Sequence, residues 1–360
     1  MSNLEWEKQQ IEALYTAAED MKRFAPWESD IAPFVLMDAS QPDKKVLVVF
    51  EEDQAQGMFI RFILSPQGIR AWLQEEAITT EDYDDALPSI EEMVNSYEGD
   101  YLEVGFHTTN PNNFEKHMQG NHPDLITFRR QRPSCRLETI NRRWDYTALL
   151  TYLKQTMKVL RLQLAEDSTN ADFRLNTYSD HTVLQTACFA VDDTGATHRA
   201  PFTFGKGEML RLSDSILDEF SNARVKHLPP SQKMYELFYF YLPTSNAPQT
   251  DTLPLAVFLV DLDSGLIEWN DVYFDTEKLP EVFLRHLWQH FIDLGVRPNT
   301  IFMQSLRSYC SVAKDMARAG ISPQYIEFSY VGQELFDSYV ETMHLKEHQL
   351  FADRFPREPY

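Results

Sequence analysis

The sequence predicts an α+β protein of two domains. The first, over residues 1–165, combines a small antiparallel sheet with helices and ends in a long helix; the second, over 166–360, is α/β and closes on a βββαβαβα unit. Three observations lead there. At 360 residues the chain exceeds what one hydrophobic core usually holds. Apolar residues recur at helical spacing in some segments and in short strand-like runs in others. The final third then sets three strands before helix, strand, helix, strand, helix, the element order of ribonuclease H-like domains.

The elements follow in chain order. Ser2 to Glu5 form a capping box, and Leu4, Ile11, Leu14, Tyr15, Ala18 and Met21 make one helical stripe that Pro26 stops. Strands are expected at 34–37, 46–50 and 58–64, after which Ser65-Pro66 opens a helix. A helix over 87–97 and a strand over 101–106 come next, then the turn-rich HTTNPNNF. From Asp145 to Leu164, a stripe through Leu149, Leu153, Met157 and Leu160 marks the long helix.

The second domain opens with an extra hairpin and helix over 166–232. Strands at 183–191 and 198–204 flank the turn DDTG, and Ser213 caps a helix running to Asn222. Strands at 234–242, 255–262 and 266–274 lead into a helix over 280–294 that Gly295 ends. A strand at 300–303, a helix over 306–319 ended by Gly320, a strand at 325–330 and a helix over 333–343 complete the unit. No internal repeat or low-complexity segment is visible.

Composition narrows the function. With 43 % apolar and 13 % aromatic residues the chain has ample material for a core. A charged start without an apolar stretch, and no run of membrane-spanning length, lead to the expectation of a cytoplasmic protein. Cys135, Cys188 and Cys310 are odd in number and far apart, and are expected as reduced, buried thiols.

The formal charge of −22 works against non-specific binding to nucleic acid or anionic lipid. Its distribution is uneven. From Ala71 to Glu115 there is no Lys or Arg, whereas Arg129, Arg130, Arg132, Arg136, Arg142 and Arg143 crowd the segment that follows. The two segments can pair within the molecule, or serve as acidic and basic partner surfaces.

Candidate sites are sparse. Asp261 and Asp263, in VFLVDLDSGLIEW, offer carboxylates, and Glu236 lies on the first strand of the last unit. Together they are the nearest approach to the converging acids of a metal-dependent nuclease. The fourth strand, TIFMQS, supplies no acid, so Asp261 and Asp263 are read first as turn formers ahead of Gly265. His286 and His290, and again His344 and His348, stand four apart, but no Glu sits between them in the metalloprotease manner, and surface positions are expected. GKG at 205–207 is too short for a phosphate loop, His107 and Asn113 fit a capped turn, and no GxSxG occurs. No cofactor or metal site is expected.

The segments ALYTAAEDMKRFAPWE, PQGIRAWLQ and FRRQRPSCRLETIN, followed by a long helix, resemble the N-terminal domain of a widespread bacterial family of unknown function. LPLAVFLVDLDSGLI, GVRPNTIFMQS and RAGI are similar to the C-terminal domain attached to it. The resemblance spans most of the chain and implies two domains; it implies no activity for any residue. The function expected from the sequence is therefore a non-catalytic interaction module, with another protein as partner and the arginines from Arg129 to Arg143 as its surface. The alternatives are a metal-dependent nuclease on the C-terminal domain and an acidic mimic of DNA built on the acidic segment.

Overall fold

The computed structural model describes residues 3–28, 31–38, 41–53, 57–77, 99–107, 126–132, 137–165, 176–177, 184–191, 197–205, 212–242, 253–274, 279–326 and 330–342. The helix expected over 87–97, most of the acidic window, the DDTG turn, Asn113, Cys135, Arg136, His344 and His348 lie outside them. The chain is α+β and divides into two compact units, the first drawn from 1–77, 99–133 and 137–209, the second from 78–98, 134–136 and 210–360. No helix among the described residues is long and apolar enough to cross a membrane.

In the first unit, helix α1 (Asn3–Phe24) buries Leu14, Tyr15, Ala18 and Met21. It ends where Ala25 takes a φ of +47° and returns its N–H to the Met21 carbonyl, just ahead of Pro26. Strands β1 (Phe34–Asp38), β2 (Gln41–Asp53), β3 (Gly57–Ile63), β4 (Tyr101–His107), β5 (Ile126–Gln131) and β6 (Glu138–Thr139) pair antiparallel in sequence order, and helix α2 (Pro66–Ala77) follows β3. Helix α3 (Arg143–Ala165) follows, then β7 (Asn176–Thr177), β8 (Leu184–Val191) and β9 (Thr197–Phe204).

The sheet is neither small nor wholly antiparallel. Nine strands share it, and β8 lies parallel to β1, with Val35 opposite Cys188. The sequence reading assigned the β8–β9 hairpin to the second domain. Its pairing with β1 instead carries it into the first unit, so that the chain leaves that unit after residue 209. The underlying reason is that β1 would otherwise be an open edge, and the hairpin satisfies its unpaired N–H and C=O groups.

Alternation along the strands separates two faces. Phe34, Val48, Ile60, Phe62, Leu102, Val104, Ile126 and Phe128 point to one, where Leu149, Leu153, Met157 and Leu160 of α3 meet the stripe of α1. Tyr15 packs edge-on against Phe128 at 5.0 Å and Tyr152 stacks on Phe62 at 5.7 Å. The other face carries Val35, Leu47, Val49 and Ile63, and among them the charged row described below.

In the second unit, helix α4 (Glu219–Lys226) precedes β10 (Pro230–Tyr241), β11 (Leu255–Asp261) and β12 (Leu266–Tyr273). Helix α5 (Leu279–Leu294), β13 (Arg297–Met303), α6 (Leu306–Arg318), β14 (Ser322–Tyr325) and α7 (Tyr330–Thr342) complete it. The strand order is β12-β11-β10-β13-β14, with β11 antiparallel to both neighbours and β10, β13 and β14 parallel. Central β10 reads as a run that is apolar but for Glu236, YELFYFY, because both of its faces are covered. Phe291 of α5 packs on Tyr235 on one side, and Phe336 of α7 meets Phe240 at 5.2 Å on the other.

The helix expected over 213–222 forms later. Buried Asp315 of α6 accepts bonds from the Ser215 hydroxyl, the Ile216 N–H at 2.8 Å, the Leu217 N–H at 3.2 Å and the Asn222 amide at 2.9 Å. Those backbone donors are thereby taken from helical use, and α4 starts only after Asp218, whose carboxylate caps Ser221 N–H at 2.7 Å. Cys188 and Cys310 are both buried.

Candidate functional site

The three carboxylates read from the sequence do not converge. Glu236 pairs in register with Val260, whereas Asp261 pairs with Tyr235, so the two acids project from opposite faces of the sheet. Asp261 is 3 % exposed and fully engaged. Its Oδ1 accepts the Asp263 N–H at 3.0 Å, its carbonyl accepts the Gly265 N–H at 2.8 Å, and its Oδ2 lies 2.8 Å from Lys233 Nζ. Lys233 also reaches Glu268 at 3.3 Å. The ammonium holds the Asp261 carboxyl below its usual range, and Asp261 in turn pushes the lysine up. Gly265 takes a φ of +68°, which closes the turn without Cβ strain. Asp263 is exposed on that turn. No group of three His, Cys, Asp or Glu side chains among the described residues is arranged to hold a metal ion.

The histidines of α5 turn towards β12 rather than share a ligand. His286 Nδ1 lies 2.9 Å from Asp271 Oδ2 and 3.2 Å from the Tyr273 hydroxyl. His290 is partly buried beside Trp269 and Phe291, and that burial lowers its pKa. His107 bonds Thr127 Oγ1 at 2.8 Å across neighbouring strands.

The arginines divide into two groups. Arg61 on β3, Glu103 on β4 and Arg129 on β5 stand directly opposite one another across the sheet. Glu103, 0 % exposed, accepts from Arg61 Nε at 2.9 Å through one oxygen and from Arg129 Nε at 2.8 Å through the other, and Arg61 continues to Glu51 at 2.7 Å. Burial raises the Glu103 pKa, but Arg129 and Arg61 outweigh it and bring the group down to about 2.

Arg130 donates to the Tyr101 carbonyl at 2.8 Å and to Asp100 at 2.6 Å. Arg132 binds Glu138 and reaches Asp145 at 2.6 Å, in the first turn of α3, where a carboxylate also suits the helix dipole. Arg129, Arg130 and Arg132 are therefore internal ties of the first unit and do not form the basic surface expected of them. Desolvating so much charge is tolerable only because each guanidinium meets a carboxylate within hydrogen-bond reach.

Arg142 and Arg143 differ. Both are exposed at the start of α3, and neither is ion-paired with a described residue. Arg143 lies over the Trp6 ring, 4.5 Å from its centre, and Trp144 beside it is 54 % exposed.

Pairing of the acidic segment with the arginines inside the molecule was one of the alternatives open from the sequence, and Glu103 with Arg129 and Asp100 with Arg130 realise it. Which acid meets which arginine was not legible, because Glu51, Asp100, Glu103, Glu138 and Asp145 lie far apart in the chain. The available signal was parity on β3 alone, where Arg61 interrupts the apolar face of Phe59 and Ile63; Glu103 shares its face with Tyr101 and His107, and Arg129 with Thr127 and Gln131. Also missed was Gln304, directly after β13. It is 4 % exposed, and neither of its amide atoms meets a hydrogen-bonding partner among the described residues.

No curated protein matches the chain. Among solved structures, a chain from the cryo-EM structure of the simian T-cell lymphotropic virus intasome in complex with PP2A regulatory subunit B56 gamma matches at 17 % identity and a TM-score of 0.24. The match covers 37 % of this chain and 45 % of that one, so this chain spans under half the length of its match. A TM-score that low does not establish a shared fold. Residues 222–339, from within α4 into α7, match the family model of a domain of unknown function, DUF6930.

Proposed function

We propose that the protein is a non-catalytic binding module and that Arg142, Arg143 and Trp144 form its contact with an acidic segment of a protein partner. The exposed Trp144 beside two exposed guanidiniums that have no ion pair among the described residues carries this reading, since Trp and Arg dominate the energetics of protein interfaces and Arg129, Arg130 and Arg132 are consumed internally. Arg143 is held by Trp6, so less side-chain freedom is lost on contact. The overall charge of −22 does not oppose an acidic partner at close range, because physiological salt screens charges beyond about 8 Å.

The test compares proteins captured by the tagged chain with those captured by an Arg142→Glu, Arg143→Glu, Trp144→Ala variant, with nuclease present throughout. Loss of a truncated hot-spot aromatic costs about 2 kcal/mol, roughly thirtyfold in affinity, and capture should weaken further as salt rises. Equal capture by both proteins would end the proposal.

A metal-dependent nuclease is the second reading, and the βββαβαβα order of residues 230–342 favours it. It needs Glu236 and Asp261 at one metal centre, whereas the sheet stands between them and Lys233 occupies Asp261. Magnesium-dependent cleavage of DNA or RNA that disappears in Asp261→Ala would restore it.

A further inference from the structure

A cleft of about 160 Å³ lies between α4 and α5 in the second unit. Leu217, Trp288 and Ile292 line its apolar part, and Arg224, Arg285 and Gln289 supply its polar part. The apolar wall is rigidly built. Trp288 is buried and donates its indole N–H to Asn222 Oδ1 at 2.9 Å, while Asn222 donates in turn to buried Asp315 at 2.9 Å. The same carboxylate holds the backbone of Leu217, so two cleft residues from separate elements are anchored to one buried group.

The polar residues are unequal. Arg285 already binds Glu281 at 2.9 Å and Gln289 binds Asp293 at 2.7 Å, both exposed pairs one helical turn apart and cheap to rearrange. Arg224 is exposed and forms no ion pair with a described residue. Next to the cleft on α4, Phe220 is 74 % exposed, an apolar surface of the kind a polypeptide covers.

The cleft is smaller than the roughly 300–1,000 Å³ of pockets that enclose whole small molecules. Its volume suits one side chain. We propose that it is a recognition site for an acidic peptide segment of a partner protein, with one aliphatic side chain seated against Trp288 and Leu217 and the carboxylate of a neighbouring acidic residue bound by Arg224. Phe220 packs along the peptide outside the cleft. This site stands on different residues from the surface around Trp144, although it shares the premise that the protein binds other proteins.

The experiment uses the full chain and saturation-transfer NMR, which reads weak binding. The probes are the blocked tetrapeptide acetyl-Gly-Leu-Glu-Gly-amide, the same peptide with Gln for Glu, and free 4-methylpentanoate. The expected result is binding of the Leu-Glu peptide, weakened about tenfold by the Gln replacement and by Arg224→Glu, with 4-methylpentanoate weaker still. Arg142→Glu with Arg143→Glu should leave that binding unchanged, which separates failure of this site from failure of the first. Three results would overturn the proposal: no binding of the Leu-Glu peptide, equal binding in Arg224→Glu, or 4-methylpentanoate binding as tightly as the peptide. The last would mark the cleft as a site for a small free acid. Because Arg224 is exposed, its replacement leaves the fold intact and the comparison valid.

Discussion

Replacing Glu103 with Gln isolates the charge at the centre of the first unit. The side chain is 0 % exposed and bridges Arg61 and Arg129, so the amide keeps the shape but leaves two enclosed guanidiniums without their shared anion. The folded pKa, about 2, lies below the ordinary 4.5. A group depressed in this way stabilises the fold fully above about pH 4.5 and loses its contribution as pH falls towards 2. The gap of about 2.5 pH units, at roughly 1.36 kcal/mol each, amounts to about 3 kcal/mol at pH 7. Glutamine mimics the protonated acid, so the difference between parent and variant should shrink to under half of that by about pH 3. Urea unfolding followed by circular dichroism at pH 7, 5, 4 and 3 measures it. A difference below about 1 kcal/mol at pH 7 would refute the reasoning. So would a difference of the same size at pH 3 as at pH 7, since the loss would then be steric and owe nothing to charge.

Two further outcomes rest on buried polar groups in the second unit. Gln304→Leu removes an amide with no partner among the described residues, so stability in urea should stay within about 1 kcal/mol of the parent or rise; a loss above about 2 kcal/mol would show that the amide is engaged. Asp315→Ala strands the donors of Ser215, Ile216, Leu217 and Asn222 together, and a cost of at least about 3 kcal/mol is expected in the same assay. Hydrogen exchange should rise first in residues 215–226, and uniform protection there in the variant would contradict the role given to Asp315.

The elements with strong periodicity were legible from the residues alone. The α1 and α3 stripes, the three strands from β10 to β12 and the helices ended by Gly295 and Gly320 stand where their patterns put them. Local chemistry also carried the Asp261 turn, since an Asx side chain and a glycine at positive φ act over only four residues. What local pattern could not carry was pairing at a distance. Strand β5 reads ITFRRQ, and its two arginines disguise a strand as a basic surface because the acids that neutralise them come from β4, the preceding loop and α3. The start of α4 escaped for the same reason, being displaced by a carboxylate some hundred residues away in α6.

That pattern bears on how charge should be weighed in a strongly acidic protein. A run of arginines in such a chain has many carboxylates within reach, and those that lie in strands, alternating with core positions, are the ones that folding draws inside. Arg129 is held there by Glu103, and Arg130 by Asp100. Arginines that begin a helix are in a different position, because the first turn attracts acids rather than bases and its outward side stays in water. Arg142 and Arg143 occupy that place, and Arg224, on the short α4 helix, is likewise left exposed without an acid among the described residues. Exposed guanidiniums with no ion pair among the described residues are groups open to an acidic partner, which is why both proposed contacts are built on them.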